Sequence, residues 1–256
     1  MLKKNIINTY QLVKFDFKSR YAKTSLGQIW YLISPIIMLF IYTVIFSDFM
    51  SARLGISDQP YAYSIYLIPG LFAYSAFSNT LTLMMDVPFA KAGILKKINT
   101  PIYIFELSPL IIQFLIFIFS MFIGVLFLVT VKEISFNILF IIPMMILQTL
   151  FVFGLGLFLS VFAVFFRDIK EIIPIVLQLL FWATPIVYPA YIIEQKAKIL
   201  LYINPFYYFV RPYQDIFLLG SVKLNDFIAP AILSATSLVV GIFFYKKLVG
   251  AVRDNL

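Results

Sequence analysis

The sequence contains no cysteine and no histidine, and only 12% of its 256 residues are charged. Without thiols there are no disulfides, no thiol redox chemistry and no thiolate metal site. Without imidazole there is neither the commonest metal ligand nor the usual general base near neutral pH. These absences argue against an enzyme. The chain also lacks a G-x-x-x-x-G-K-[ST] loop, so it is not expected to bind ATP through that motif. Acidic residues are missing from the middle of the apolar runs: Asp86, Glu106, Asp168 and Glu171 fall at run ends and read as solvated or interfacial charges. Pathways that couple to protons or ions need carboxylates deeper than that. If anything is moved uphill, the energy comes from another chain.

What the sequence does have is apolar mass. Hydrophobic residues make up 62%, against about 45–50% in ordinary globular domains, and several apolar runs exceed the roughly 18 residues that mark a bilayer-spanning helix. The fold class is therefore all-α integral membrane. Apolar windows place six spans at 29–49, 63–85, 104–131, 136–166, 172–188 and 227–245. The fourth contains Gly154 and Gly156 and is long enough to tilt or bend. No internal repeat relates the halves. The first thirty residues hold lysines but no apolar segment of about 7–15 residues ending in a small-residue cleavage site, so the first helix is expected to direct insertion.

Lysine and arginine are unevenly placed: residues 1–28, 86–103, 167–171 and 246–256 hold 6, 3, 2 and 3 of them, whereas the connections after the first, third and fifth spans hold 1, 1 and 4. The group of four is spread over a long connection and offset by Glu194, Asp215 and Asp226. Basic residues favour the cytoplasmic side, which puts both termini there. The net charge of +8 is then a topology signal rather than a nucleic-acid footprint.

Three stretches stand out. Ahead of the first span, Ile6, Tyr10, Val13, Phe17 and Tyr21 recur at steps of three and four, with Lys3, Lys4, Lys14, Lys18 and Lys23 mostly on the other sides. This predicts an amphipathic helix in the membrane plane: either a basic anchor on anionic headgroups or a cuff gripped by a cytoplasmic partner. In the second span Ser75, Ser78, Asn79, Thr82 and Asp86 share one stripe, which either hydrogen-bonds neighbouring helices or lines a wet path. The fifth span repeats the pattern with Gln178, Trp182, Pro185 and Tyr188, and its Pro174 and Pro185 free carbonyls that something nearby must satisfy. The third stretch is "NPFYYFVRPYQD" (204–215), in the long connection between the fifth and sixth spans, opposite the termini. Its surroundings are apolar enough to touch the membrane, but Asn204, Pro205, Arg211, Pro212, Gln214 and Asp215 keep them from crossing it. A re-entrant helical hairpin is the natural solution. Its aromatics are either an interfacial belt or the cap of an exit.

Four pieces, "RYAKTSLGQIWYLISPIIMLFIYTVIF" (20–46), "LIPGLFAYSAFSN" (67–79), "FFRDIKEIIPIVLQLLFWATPIVYP" (165–189) and "NPFYYFVRPYQD", occur in that order. Together they resemble the permease subunit of type-2 ABC exporters, closest to the polysaccharide branch that includes O-antigen (Wzm-type) and teichoic-acid exporters. The resemblance covers nearly the whole chain. It implies a single transmembrane domain over 1–256: an interface helix in 1–28, five helices in 29–188, an outer-face re-entrant gate in 189–226 and a sixth helix in 227–245. It further implies a homodimer in a bacterial inner membrane with two separate cytoplasmic P-loop ATPase subunits. ATP and magnesium belong to those subunits and no cofactor to this chain. The cargo is a lipid-linked glycan.

By the same resemblance, Tyr10, Lys14 and Arg20 of the interface helix, Lys91, Lys96 and Lys97 of the segment 91–100, and Arg167 and Asp168 of "FRD" couple to the ATPase. On residues alone, the three lysines read equally as positive-inside charge. Asn204, Phe206, Tyr207, Tyr208, Arg211 and Tyr213 fall in the gate. Trp30, Tyr31, Tyr42, Ser75, Asn79, Thr82, Gln178, Trp182 and Tyr188 fall along the pathway, where aromatic faces suit a sugar chain that must slide. A type-2 exporter of drugs or small amphiphiles is the near rival. A membrane glycosyltransferase or acyltransferase is the distant one, since it would need a histidine or paired carboxylates. A membrane scaffold would explain neither the polar stripes nor the re-entrant segment.

Overall fold

The computed structural model describes residues 2–20, 22, 24–45, 61–97 and 101–255, and every regular element among them is helical. In order these are α1 (Leu2–Ser19), a 3-10 turn (Gly27–Ile29) leading into α2 (Trp30–Phe40) and a π turn (Ile41–Ile45), then α3 (Ala62–Ala90), α4 (Ala92–Leu95) and α5 (Ile102–Val131). A 3-10 turn (Phe136–Phe140) opens α6 (Ile141–Phe165). It is followed by α7 (Ile169–Ala183), α8 (Ala190–Ile203), α9 (Tyr207–Leu219), a 3-10 turn (Leu224–Phe227) and α10 (Ile228–Asn255). Tyr21 and Lys23 of the amphipathic repeat, residues 46–49 of the first predicted span and 98–100 of the predicted coupling segment lie outside the described residues, as do the side chains of Lys3 and Lys4.

Four stretches, Gly27–Val44, Ile102–Val131, Phe136–Phe165 and Leu224–Val252, are long and apolar enough to cross a membrane. This is an all-α, multi-pass membrane fold. Helix α3, at 29 residues, is about 43 Å long yet carries Ser64, Ser75, Ser78, Asn79, Thr80, Thr82 and Asp86. It tolerates them because it is the central helix, packed by α5, α6, α7 and α9. Its run from Ala62 to Tyr74 is entirely buried.

Three sequence expectations need correction. The fifth predicted span, 172–188, contains a helix only to Ala183, because Pro185 disfavours helical backbone at Thr184, which is extended. The sixth does not stop at Tyr245 but runs to Asn255, since Tyr245 and Val252 both bury against α5 and α6. Glu106 is not interfacial. It is fully buried where α6 covers the start of α5, and Ser160 Oγ donates to its Oε1 at 2.5 Å.

Small residues let α6 and α10 approach closely. A Cβ on Gly241 would stand 2.1 Å from the Gly154 carbonyl oxygen, and one on Gly154 would stand 2.3 Å from the Ser237 carbonyl carbon. The backbones therefore touch, and Ser234 Oγ and Ser237 Oγ each donate across the seam, to Leu147 O and Phe151 O, at 2.7 Å. Without a hydrophobic drive between helices in lipid, such close approach and hydroxyl bonding hold spans together.

The bundle has two distinct ends. At one, Val87, Leu95, Ile102, Phe105, Val161, Val164, Tyr245 and Val252 bury together with Leu12 of α1 packed on them. The ends of α3, α6 and α10, the start of α5 and helix α1 thus meet there. At the other end, the connection from α5 to α6 meets the C-terminus of α9: Lys132 Nζ donates to Phe217 O and Leu218 O, and Asn137 Nδ2 donates to Gly220 O at 2.8 Å.

Candidate functional site

The polar stripe of α3 lies between two walls. On one side a cavity of about 170 Å³ is bounded by Trp30 and Tyr31 of α2, Ser75 and Asn79 of α3, Gln113 of α5, and Arg20. On the other, a groove of about 420 Å³ between α3 and α7 is bounded by Tyr74, Ser78, Asn79, Thr82, Gln178 and Trp182. Asn79 borders both, so α2 and α7 flank the stripe as the walls of one trough. The hydroxyls of Ser78 and Thr82 donate within their own helix, to Ser75 O at 3.4 Å and Ser78 O at 2.9 Å. Asn79 and Gln178 leave their carboxamides exposed, and Trp182 is 57% exposed. An open surface with hydroxyls, amides and an indole face can hydrogen-bond and stack without enclosing what it touches.

Not every predicted pathway residue is open on this surface, although Tyr31 borders the cavity beside α2. Tyr31 is buried and stacks on Phe17 of α1, with ring centroids 4.8 Å apart. Tyr42 borders neither cavity, and its carbonyl accepts from Ser64 Oγ at 3.1 Å. Tyr188 is half-buried and its hydroxyl donates to the Trp182 carbonyl.

Beyond α7 the chain runs without regular structure to Pro189, and its carbonyls are all the more in need of donors because the segment is shielded from water. Tyrosines of α3 supply them. Tyr66 Oη donates to Pro185 O at 2.8 Å and to Tyr188 O at 3.0 Å, and Tyr63 Oη donates to Val187 O at 3.1 Å. Gln214 Nε2 adds a second bond to Pro185 O at 2.9 Å.

Asn204 closes the turn between α8 and α9. Its Nδ2 donates to Thr184 Oγ1 at 2.8 Å and its Oδ1 accepts from the Phe206 amide at 2.9 Å, the local side-chain turn that asparagine favours. Phe206 then stacks on Phe77 at the middle of α3 (4.4 Å), and Phe209 stacks on Phe151 of α6 (5.0 Å). Gly70 makes room for α9: a Cβ there would stand 3.1 Å from Val210 Cγ1.

Of the predicted gate residues, Asn204, Phe206, Tyr207 and Tyr213 are therefore buried inside the subunit, whereas Arg211 is exposed and Tyr208 half-exposed. Arg211 pairs with Asp215 one turn on, at 3.6 Å, and its Nη1 donates to Tyr207 Oη at 3.4 Å. Helix α8, unlike α9, is exposed along most of its length.

The predicted coupling residues gather at the end of the bundle where α1 lies. Tyr10, Lys14, Lys96, Lys97, Arg167 and Asp168 are exposed there, and the Arg20 guanidinium lies over the Tyr31 ring at 5.9 Å. Lys91 is different. Its Nζ is 2.7 Å from Asp16 Oδ1, and Ser108 Oγ donates to Asp16 Oδ2 at 2.8 Å. A second ion pair joins Lys170 of α7 to Asp86 of α3 at 2.6 Å. Neither pair was anticipated from the sequence. The available signal for Asp16 is that it is the one acid in an otherwise basic amphipathic helix.

The model of the ABC-2 type transporter family matches residues 8–218. Among curated proteins, the chain is 28% identical to an O-antigen export system permease protein RfbA of Klebsiella pneumoniae, over 91% of this chain and 88% of the relative. A second Klebsiella pneumoniae protein of that name is 27% identical over the same shares. One from Myxococcus xanthus is 25% identical over 80% of this chain and 78% of its own length.

Proposed function

We propose that this chain, which belongs to the ABC-2 type transporter family, is the permease subunit of an exporter that carries an O-antigen-like, lipid-linked polysaccharide outward across the bacterial inner membrane. Permeases of this family perform no bond chemistry, and ATP is hydrolysed on a separate partner chain. The relatives named as O-antigen export permeases match along 80–91% of the sequence. The observation that carries the reading is the trough: an open polar and aromatic surface on α3, walled by α2 and α7. Two such troughs facing each other in a homodimer make a channel. Hydroxyls, carboxamides and the Trp182 face contact successive sugars without holding any one of them in register, as a sliding polymer requires.

In this reading the chain has six spans, with α3 and α7 joining the four long apolar stretches. The bundle end that collects α1, α4 and the ends of α3 and α10 is cytoplasmic, both termini included. The α8–α9 hairpin is re-entrant from the outer face. Its turn at Asn204 lies against the middle of α3 and its far end returns to Lys132, which supports a dip into the membrane rather than a crossing. Lys96, Lys97, Tyr10 and Lys14 face two P-loop ATPase subunits, which bind the ATP and Mg²⁺. Nucleotide-driven closure of those subunits biases the permease between two states, which is what coupling physically requires.

Affinity purification of the chain from its native membrane in mild detergent, followed by mass spectrometry, tests this. A stoichiometric P-loop ATPase is expected. Recovery of the intact permease without one, under conditions that preserve other such complexes, removes the reading.

A further inference from the structure

The end of α3, where it turns into α4, is gripped from two sides. Asp86 and Lys91 are five residues apart, about 140° around a helix, so they face different neighbours. Lys170 of α7 reaches Asp86 at 2.6 Å and lies over the Phe89 ring at 4.4 Å. Asp16 of α1 reaches Lys91 at 2.7 Å while its second oxygen takes the Ser108 hydroxyl of α5. The residue after Asp16 is Phe17, whose ring stacks on Tyr31 of α2. Two continuous contact paths therefore leave the α3–α4 corner. One runs through Asp16 and Phe17 to α2, and the other runs through Asp86 to α7. These are the two walls of the trough.

We infer that Asp16 and Asp86 are positioning residues that turn displacement of the α3–α4 corner into movement of the trough walls; this rests on the proposed coupling to an ATPase. The Lys170 and Asp86 side chains are 31% and 47% exposed, so their pair contributes little to stability. What it fixes is geometry: at the corner itself, Asp86 holding Lys170 ties the end of α3 to the start of α7. The Asp16 clasp is tighter, with both partners 20% exposed. It joins α1 to the corner as one body, so that a partner seated on either moves both. Chains of packed side chains and ion pairs of this kind can carry energetic coupling between distant sites.

The test uses the permease–ATPase complex reconstituted in vesicles, with ATP hydrolysis and glycan export measured together. Asp16→Asn and Asp86→Asn should keep assembly and hydrolysis while export per ATP falls about tenfold, within the usual range of coupling between sites. Exchanging the charges, Asp86→Lys with Lys170→Asp, should restore export per ATP to within about twofold. A wild-type ratio in both single variants, or a loss that the exchange leaves uncorrected, overturns the inference. Because the chain has no cysteine, the pair Asp86→Cys and Lys170→Cys gives a second reading that avoids loss of folding. Crosslinked complexes should still export, since the clamp stays closed through the cycle, and export abolished by the crosslink and recovered on reduction would contradict it. Failure to find any ATPase with the wild-type chain overturns the proposed function instead, and does so before any variant is made.

Discussion

Lys132 caps the helix that ends at Leu219: its ammonium donates to the Phe217 and Leu218 carbonyls at 3.0 and 2.9 Å. A cation at a helix C-terminus meets the negative end of the helix dipole and satisfies carbonyls that have no partner within the helix. Burial lowers the Lys132 pKa through desolvation, so part of the gain is spent on removing water from the ammonium. Lys132→Met should destabilise the purified protein by about 1–2 kcal/mol, read as a lower unfolding temperature in detergent. Lys132→Arg should recover most of it. Equal unfolding temperatures for all three would show that the cap does not hold α9.

The α6–α10 seam makes a sharper prediction. Alanine at Gly241 puts a methyl group 2.1 Å from the Gly154 carbonyl oxygen, and backbone cannot yield as a flexible side chain does. Gly241→Ala should cost about 1–3 kcal/mol through overpacking and lower the yield of folded protein. Alanine at Gly250, where a Cβ meets nothing within 4 Å, should be tolerated. Size-exclusion profiles and unfolding temperatures of the two variants compare them directly.

The aromatic residues separate into two kinds. Trp182 is 57% exposed on the trough wall and Phe206 is fully buried. Trp182→Ala should leave assembly and unfolding temperature unchanged and reduce export. Phe206→Ala should cost about 3–5 kcal/mol and reduce export by reducing folded protein. If both variants behave alike in export normalised to folded protein, stacking on the trough wall plays no part in transport.

At the α3–α4 corner the three lysines should also part company. Lys96 and Lys97 are exposed, so reversing both to glutamate should leave folding intact and weaken co-purification of the ATPase. Lys91→Glu instead places a second carboxylate against Asp16 and should lower the unfolding temperature itself. Undiminished ATPase recovery with the Lys96→Glu, Lys97→Glu double variant would remove these two from the partner's seat.

Hydropathy and spacing made the long apolar helices, the amphipathic α1 and the polar stripe of α3 legible, because each is a local periodic pattern. The termination of α7 was legible in principle from Pro185, but the apolar window of 172–188 ran through it and hid the break. Contacts between helices were not legible. Asp16 and Lys91 are 75 residues apart and Glu106 and Ser160 are 54 apart. Whether Glu106 faces lipid headgroups or α6 depends on how α5 is rotated in the bundle. A carboxyl near the end of an apolar run looks interfacial in sequence, and only the packing of α6 over it makes it buried. Tyr63 and Tyr66 likewise read as apolar span residues, and their role in satisfying the irregular backbone after α7 appears only once the two segments are seen side by side.

The measurement that tests the account most directly is photocrosslinking in cells that make the glycan. A benzoylphenylalanine is placed at Trp182, on the trough wall, or at Phe122, which is 56% exposed on α5 beside an apolar groove of Phe114, Ile118 and Ile142. Carbohydrate staining of the purified chain should show glycan attached from position 182 and none from position 122. Glycan captured equally from both, or from neither while export continues, would contradict the trough as the path.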